Sequence, residues 1–133
     1  MYQRKFTLEI NEVLSHVPQG GPVDNKGIKR VFNGELININ SLRLHTFKIS
    51  TRCVSCGLEG THFAAERTAR KNQPLKESYH LNLYAMKNGK EILMTKDHIK
   101  PLSKGGPDEL SNLQTMCCKC NSKKGSTYVE DGK

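Results

Sequence analysis

The chain has no tryptophan, is only 6% aromatic and 35% hydrophobic, and so is poor in the residues that build large cores. For 133 residues that is a lean core, and a covalent or metal staple would have to add to apolar burial. No apolar run approaches the roughly 20 residues needed to cross a bilayer, which argues against a transmembrane helix. The stretch MYQRKFTLEINEVLSHV carries basic residues, but Glu9 and Glu12 interrupt it, so it does not read as a secretion signal. Five cysteines, an odd number, without such a signal argue against a disulfide framework. They favour thiolate chemistry in a reducing, cytoplasmic setting. There is no internal repeat and no low-complexity segment.

The net charge is +8 and the pI about 9.4. The excess is spread: residues 1–50 carry 7−4 = +3, residues 51–100 carry 9−5 = +4, and the remainder 5−4 = +1. A basic excess distributed over folded segments suits a surface that contacts phosphates.

Hydrophobic spacing suggests a helix over residues 6–17, with Phe6, Ile10, Val13, Leu14 and Val17 on one face and Thr7 as its cap. Pro18 and the glycines after it stop that helix. Residues 31–50 read as strand-like, with an Asn33-Gly34 turn and alternation through Leu36, Asn38, Leu42 and Leu44. AAERTARKNQPLKES reads as a short helix followed by a surface loop. The clearest element is a hairpin over residues 79–99. In it Leu81, Leu83 and Ala85 alternate with His80, Asn82 and Tyr84, the turn is Asn88-Gly89, and Ile92 and Met94 lie on the return. That return strand delivers Asp97 and His98. A loop punctuated by Gly105-Gly106-Pro107, a short strand LQTMC and a helix from about Cys118 to Lys124 follow.

Cys53/Cys56 and Cys117/Cys120 are both C-x-x-C pairs. Two such pairs make a four-thiolate zinc site, which would staple the turn at residues 53–56 to the start of the last helix. Cys118 breaks the spacing and is expected to be a small buried residue. His62 is expected at the surface, since four cysteines fill the coordination shell. Zinc binding should then supply much of the stability of so lean a core.

Asp97 and His98 are neighbours at a strand end, so their side chains leave opposite faces and could flank a substrate. Asn121 follows the last cysteine of the second pair, in the first turn of the final helix. Imidazole suits a general base near neutral pH. Carboxylate and amide oxygens are hard ligands suited to Mg²⁺ or Mn²⁺. A base and a cation are the main parts that phosphodiester hydrolysis requires.

These residues resemble a known family. ILMTKDHIKPLSKGG…SNLQTMCCKCNSKKG is similar to the HNH endonucleases, the ββα-metal or His-Me finger nucleases. Within that family the chain looks like the small phage-type members with a four-cysteine zinc. The likeness runs from about Thr51 to Gly125. It implies that His98 is the general base and Asp97 the metal ligand beside it. Asn112 would be the motif asparagine that steadies the loop. Asn121 stands where many members have a final histidine, which makes this an H-N-N variant and shifts metal preference toward hard ions such as Mg²⁺. Lys124 matches a lysine common after the helix start, and Lys100, Lys104 and Lys123 are further candidates for phosphate contact. The products implied have 5′-phosphate and 3′-hydroxyl ends.

The expectation is therefore an α+β protein with two parts. Residues 1–50 form a helix-and-strand extension that extends a DNA contact, makes a dimer or covers the core. Residues 51–133 form a zinc-stapled ββα domain that hydrolyses DNA. A monomer would nick and a homodimer could cut both strands. The rivals are a zinc-stabilised module that binds nucleic acid without cutting it, and a thiol-disulfide oxidoreductase. The first has no use for Asp97, His98 and Asn121 together. The second needs an exposed thiol of low pKa.

Overall fold

The computed structural model describes residues 2–68, 78–126 and 128. The elements run β1 (Tyr2–Glu9), α1 (Ile10–Leu14), β2 (Lys29–Phe32), β3 (Glu35–Asn38), α2 (Leu42–Ile49), β4 (Gly60–Thr68), β5 (His80–Lys87), β6 (Lys90–His98), β7 (Leu113–Cys117) and α3 (Cys118–Lys124). Five strands form one antiparallel sheet in the order β1-β4-β5-β6-β7, and β2 and β3 make a separate hairpin. This is an α+β fold, and β6, β7 and α3 are its ββα unit.

The N-terminus corrects the reading from sequence. Of the predicted helix over residues 6–17, residues 6–9 belong to β1 and only Ile10–Leu14 are helical. Phe6 and Leu8 lie opposite Ala65 and Phe63 of β4, so a partner strand some 55 residues away overrides the local helical spacing. The helix begins at Ile10, where the Glu12 side chain accepts from the Glu9 N–H at 3.1 Å. Thr7 lies inside β1 and caps nothing.

The strand-like stretch after it is half right. Asn33 (φ 46°) and Gly34 (φ 84°) supply the two positive φ angles of a tight hairpin turn between β2 and β3. Residues 42–49, however, are helical. Ser41 Oγ accepts from Leu44 N–H at 3.2 Å, and the helix buries Leu44, His45, Thr46 and Phe47. Ala64, Ala65 and Glu66, expected in a helix, are buried positions of β4, and the loop expected beyond them falls largely outside the described residues.

The hairpin β5–β6 stands as read, with its turn at Asn88-Gly89. Its alternation does not separate inside from outside, because Leu81 through Ala85 are all buried. Asn82 and Tyr84 are tolerated there by Glu66, which is 3% exposed. Its carboxylate accepts from Tyr84 Oη (2.5 Å), Asn82 Nδ2 (2.9 Å) and Arg4 Nε (3.0 Å). Burial and this carboxylate push the Tyr84 phenol well above its ordinary value.

Arg4 continues outward to both oxygens of Glu91, which also meets His62 Nε2 at 2.5 Å, while the His62 ring stacks on Tyr84. His62 thus lies half-buried on the sheet. The Arg4 guanidinium first, and His62 after it, hold the Glu91 carboxyl below its usual range. A depressed folded pKa contributes stability above the unfolded value, about 4.3, that is lost as pH falls through the folded value. Glu91→Gln should therefore cost about 0.5–1 kcal/mol at pH 7, and the gap from wild type should shrink in acid. Urea denaturation of the zinc-loaded proteins at pH 7 measures the cost; a variant as stable as wild type would contradict it.

Candidate active site and thiolate metal centre

The metal centre starts from two turns. Residues 53–56 turn tightly: Gly57 N–H donates to Cys53 O at 3.0 Å, and Cys53 N–H to Leu58 O at 2.9 Å. Gly57 has φ 80°, a conformation that favours glycine. The second turn is the β7–α3 junction, where Cys117 ends the strand and caps the helix. The Cys56 N–H points at Cys53 Sγ and the Cys120 N–H at Cys117 Sγ, each at 3.5 Å.

The four Sγ atoms of Cys53, Cys56, Cys117 and Cys120 all lie within 4.8 Å of one another, and Cys56 and Cys117 are 3.9 Å apart. Tetrahedral thiolates at about 2.3 Å from zinc would be about 3.8 Å apart, so the donor set fits that ion. Burial raises the Cys53 pKa, but backbone N–H bonds aimed at its sulfur outweigh this and bring it down to about 6. Cys118 stays out of the cluster and is half-buried rather than fully buried. Among the described residues this is the one group of three or more Cys, His, Asp or Glu ligands able to hold a metal ion.

α3 leaves this clamp and lies along β6. Asn121 Nδ2 donates to Thr95 Oγ1 at 2.9 Å, and Lys124 Nζ lies 3.2 Å from Asp97 Oδ2 and 3.0 Å from His98 O. Asn121 and Lys124 are three apart on a helix, and Thr95 and Asp97 two apart on a strand. Each pair therefore shares one face, and the two faces meet. Gln114, opposite Asp97 on β7, donates to its Oδ2 at 2.9 Å. Asp97 is 7% exposed and fully partnered.

His98 leaves the other face, with Lys96. Its Nε2 lies 2.8 Å from Asp108 Oδ1, and Lys96 Nζ is 3.9 Å from the same oxygen. The His98 hydrogen bond first, and Lys96 next, hold the Asp108 carboxyl below its ordinary value. An ionised carboxylate only accepts, so Nε2 carries the proton of this bond and Nδ1 is the other ring nitrogen. Asp97 and His98 nonetheless open on one cavity of about 270 Å³, lined also by Pro101, Leu102, Ser103 and Lys124.

The loop between β6 and β7 is fixed by Asn112. Its Oδ1 accepts from Lys100 N–H at 2.9 Å, and its Nδ2 donates to Lys100 O (3.0 Å) and Pro107 O (2.8 Å). Inside that loop Gly106 packs so closely that a Cβ would meet Lys100 O at 1.8 Å, so glycine is required there.

The four expected site residues thus split. Asp97 and His98 share the cavity, Asn121 sits one helical turn from Lys124 on the Thr95 contact, and Asn112 supports the loop from beneath. Of the lysines, Lys124 reaches Asp97. Lys104 is exposed in the loop, and Lys123 faces the cysteine cluster with Lys87 and Lys119. Lys100 contributes its backbone to Asn112. Asp108 and Gln114 were not singled out in the sequence. Gln114 becomes visible once β6 and β7 are in register, whereas an acid in a polar loop gives no signal.

Cys53→Ser and Cys120→Ser should lose the bound zinc and unfold at much lower temperature, while Cys118→Ser should keep both. Metal content per chain and thermal melting check this; a zinc-free Cys118→Ser, or a fully loaded Cys53→Ser, would contradict the assignment.

No helix among the described residues is long and apolar enough to cross a membrane. No curated protein and no solved structure matches the chain. A family model described as HNH endonuclease matches residues 86–127, from the end of β5 through β6, β7 and α3. That span holds the ββα unit, the second cysteine pair and every residue lining the Asp97–His98 cavity, and it is over this segment that the chain is similar to the HNH endonucleases.

Proposed function

We propose that the protein is a metal-dependent endonuclease that hydrolyses DNA phosphodiester bonds at the Asp97–His98 cavity. The observation that carries this is the opening of a carboxylate, an imidazole and an ammonium, those of Asp97, His98 and Lys124, on one small cavity. A purely structural zinc module would have no need of that convergence.

In this reading His98 is the base. Asp108 holds Nε2–H, which leaves Nδ1 to take a proton from water. The hydroxide attacks phosphorus, the P–O3′ bond breaks, and the 3′-oxygen leaves to be protonated from solvent. The products carry 5′-phosphate and 3′-hydroxyl ends.

Asp97 and Asn121 are the residues that would hold a Mg²⁺- or Mn²⁺-like ion. The donor atoms fit: one is a carboxylate, and the other is the Asn121 carbonyl oxygen left over when Nδ2 bonds Thr95. Two protein ligands are what Mg²⁺ commonly takes, with water and phosphate filling the rest. Such an ion, when bound, neutralises charge on the phosphate and the departing oxygen. Lys124 would turn from Asp97 toward the phosphate when substrate enters. Lys100, Lys104 and Lys123 would add contacts to the backbone, which fix position but read no sequence. Asn112 keeps the loop in place, and Asp108 is a positioning residue.

Supercoiled plasmid, zinc-loaded protein and added Mg²⁺ or Mn²⁺ test the reading. Wild type should convert the plasmid, and His98→Ala should be slower by about 10²–10⁴-fold. Asp108→Asn should lower kcat with KM unchanged, and Asp108→Glu should recover part of it. If wild type binds DNA but cuts it under no divalent ion, the binding-module reading replaces this one.

A further inference from the structure

β6 changes partners halfway along. Residues 90–93 pair with β5, while residues 94–98 pair with β7. β5 meanwhile continues toward His80 paired with β4. The two strands therefore fork after the Tyr84–Leu93 pair, and β6 has no β5 partner over the segment that carries Thr95 and Lys96.

Beside the fork, on its β6 side, lies a cavity of about 340 Å³ lined by Tyr2, Ser41, Leu42, Arg43 and residues 93–96. Arg43 reaches in from the first turn of α2, and its Nη1 donates to Asn82 Oδ1 at 2.9 Å. Among the described residues that is the side chain's only hydrogen bond, and it takes part in no ion pair. The nearest carboxylate in this network, Glu66, lies one amide further on and already accepts from Arg4, Tyr84 and Asn82. Burial pulls the Arg43 pKa down. A guanidinium has five N–H donors in a planar fork suited to phosphate, and leaving a partly buried one without an anion is costly.

The position matters as much as the charge. Thr95 and Lys96 line this cavity, and the next two residues of the same strand, Asp97 and His98, line the other. Two strand residues advance about 7 Å.

We infer that the cavity beside the fork between β5 and β6 is a second phosphate site, in which Arg43 and Lys96 grip a phosphate next to the scissile one on the same DNA strand. This rests on the nuclease reading for its substrate, and it gives residues 1–50 a part in binding, through Arg43. The Arg43 side chain keeps its bond to Asn82 and directs its remaining N–H groups to the phosphate oxygens. Lys96, already 3.9 Å from Asp108, supplies a second charge at the mouth.

Binding of a short duplex, followed by fluorescence anisotropy across a salt series, tests this without requiring cleavage. All proteins carry His98→Ala so that the duplex survives, and urea midpoints establish that each is folded. Arg43→Gln and Lys96→Gln should each reduce the slope of log K against log [salt] by about 0.9, and weaken binding roughly three- to tenfold at about 0.1 M salt. Arg43→Lys should keep most of the slope. If Arg43→Gln does not fold, Lys96→Gln, at a partly exposed position, decides the matter. A folded variant with the parent's slope and affinity overturns the fork site while leaving the nuclease reading intact. A parent that binds no duplex at all overturns both.

Discussion

The four-thiolate clamp is the constraint on which the rest depends. It joins a turn at residues 53–56 to the junction between β7 and α3, and the same junction begins the helix that carries Asn121 and Lys124. Cys117 does three things at once: it ends a strand, caps a helix and supplies a sulfur. The backbone supports the clamp from both sides, since Val54 N–H donates to Thr115 O at 3.0 Å and Thr115 Oγ1 to Ser50 O at 2.6 Å. Zinc sites of this type carry on the order of 10 kcal/mol or more, as much as the whole net stability of a typical domain. For a chain this short of aromatic residues, zinc bound at these four thiolates would couple metal binding to folding.

From that anchor the site is assembled by simple periodicities. The helix places Asn121 and Lys124 on one face, and β6 places Thr95 and Asp97 on the facing one. Asn112 ties the loop to Lys100, and Gly106 lets it close. The opposite face of β6 carries Lys96 and His98 toward Asp108. Elements of different origin thus meet at the end of a single strand, and β1 and α2 belong to the same framework. β1 is an edge of the same sheet, and Phe47 of α2 packs in the same core as Phe63 and Met94.

What could be read from the sequence follows the range of the interactions. Asn88-Gly89 and the cysteine spacings are local, and the hairpin, β7 and α3 stand where they were read. β1 could not be read, because Phe6 and Leu8 take their conformation from Ala65 and Phe63, far along the chain. Ala64-Ala65-Glu66 misled for the same reason: helix-favouring residues form a strand because β1 pairs them on one side and β5 on the other. Asp97, His98, Asn112 and Asn121 could be picked out as a set by family pattern. Their partners Thr95, Gln114 and Asp108 follow only from register and loop path, and Arg43 only from the fork between strands.

In the function proposed, the thiolate clamp presents Asn121 to the face of β6 where Asp97 would hold a second, hard divalent ion. Calorimetric titration of Mn²⁺ into the zinc-loaded protein tests this directly, with Asp97→Ala and Asn121→Ala run alongside. The account predicts one Mn²⁺ per chain in wild type, lost or greatly weakened in both variants while each keeps its zinc and its fold. Undiminished Mn²⁺ binding in Asn121→Ala, or none in wild type with or without duplex, would contradict it.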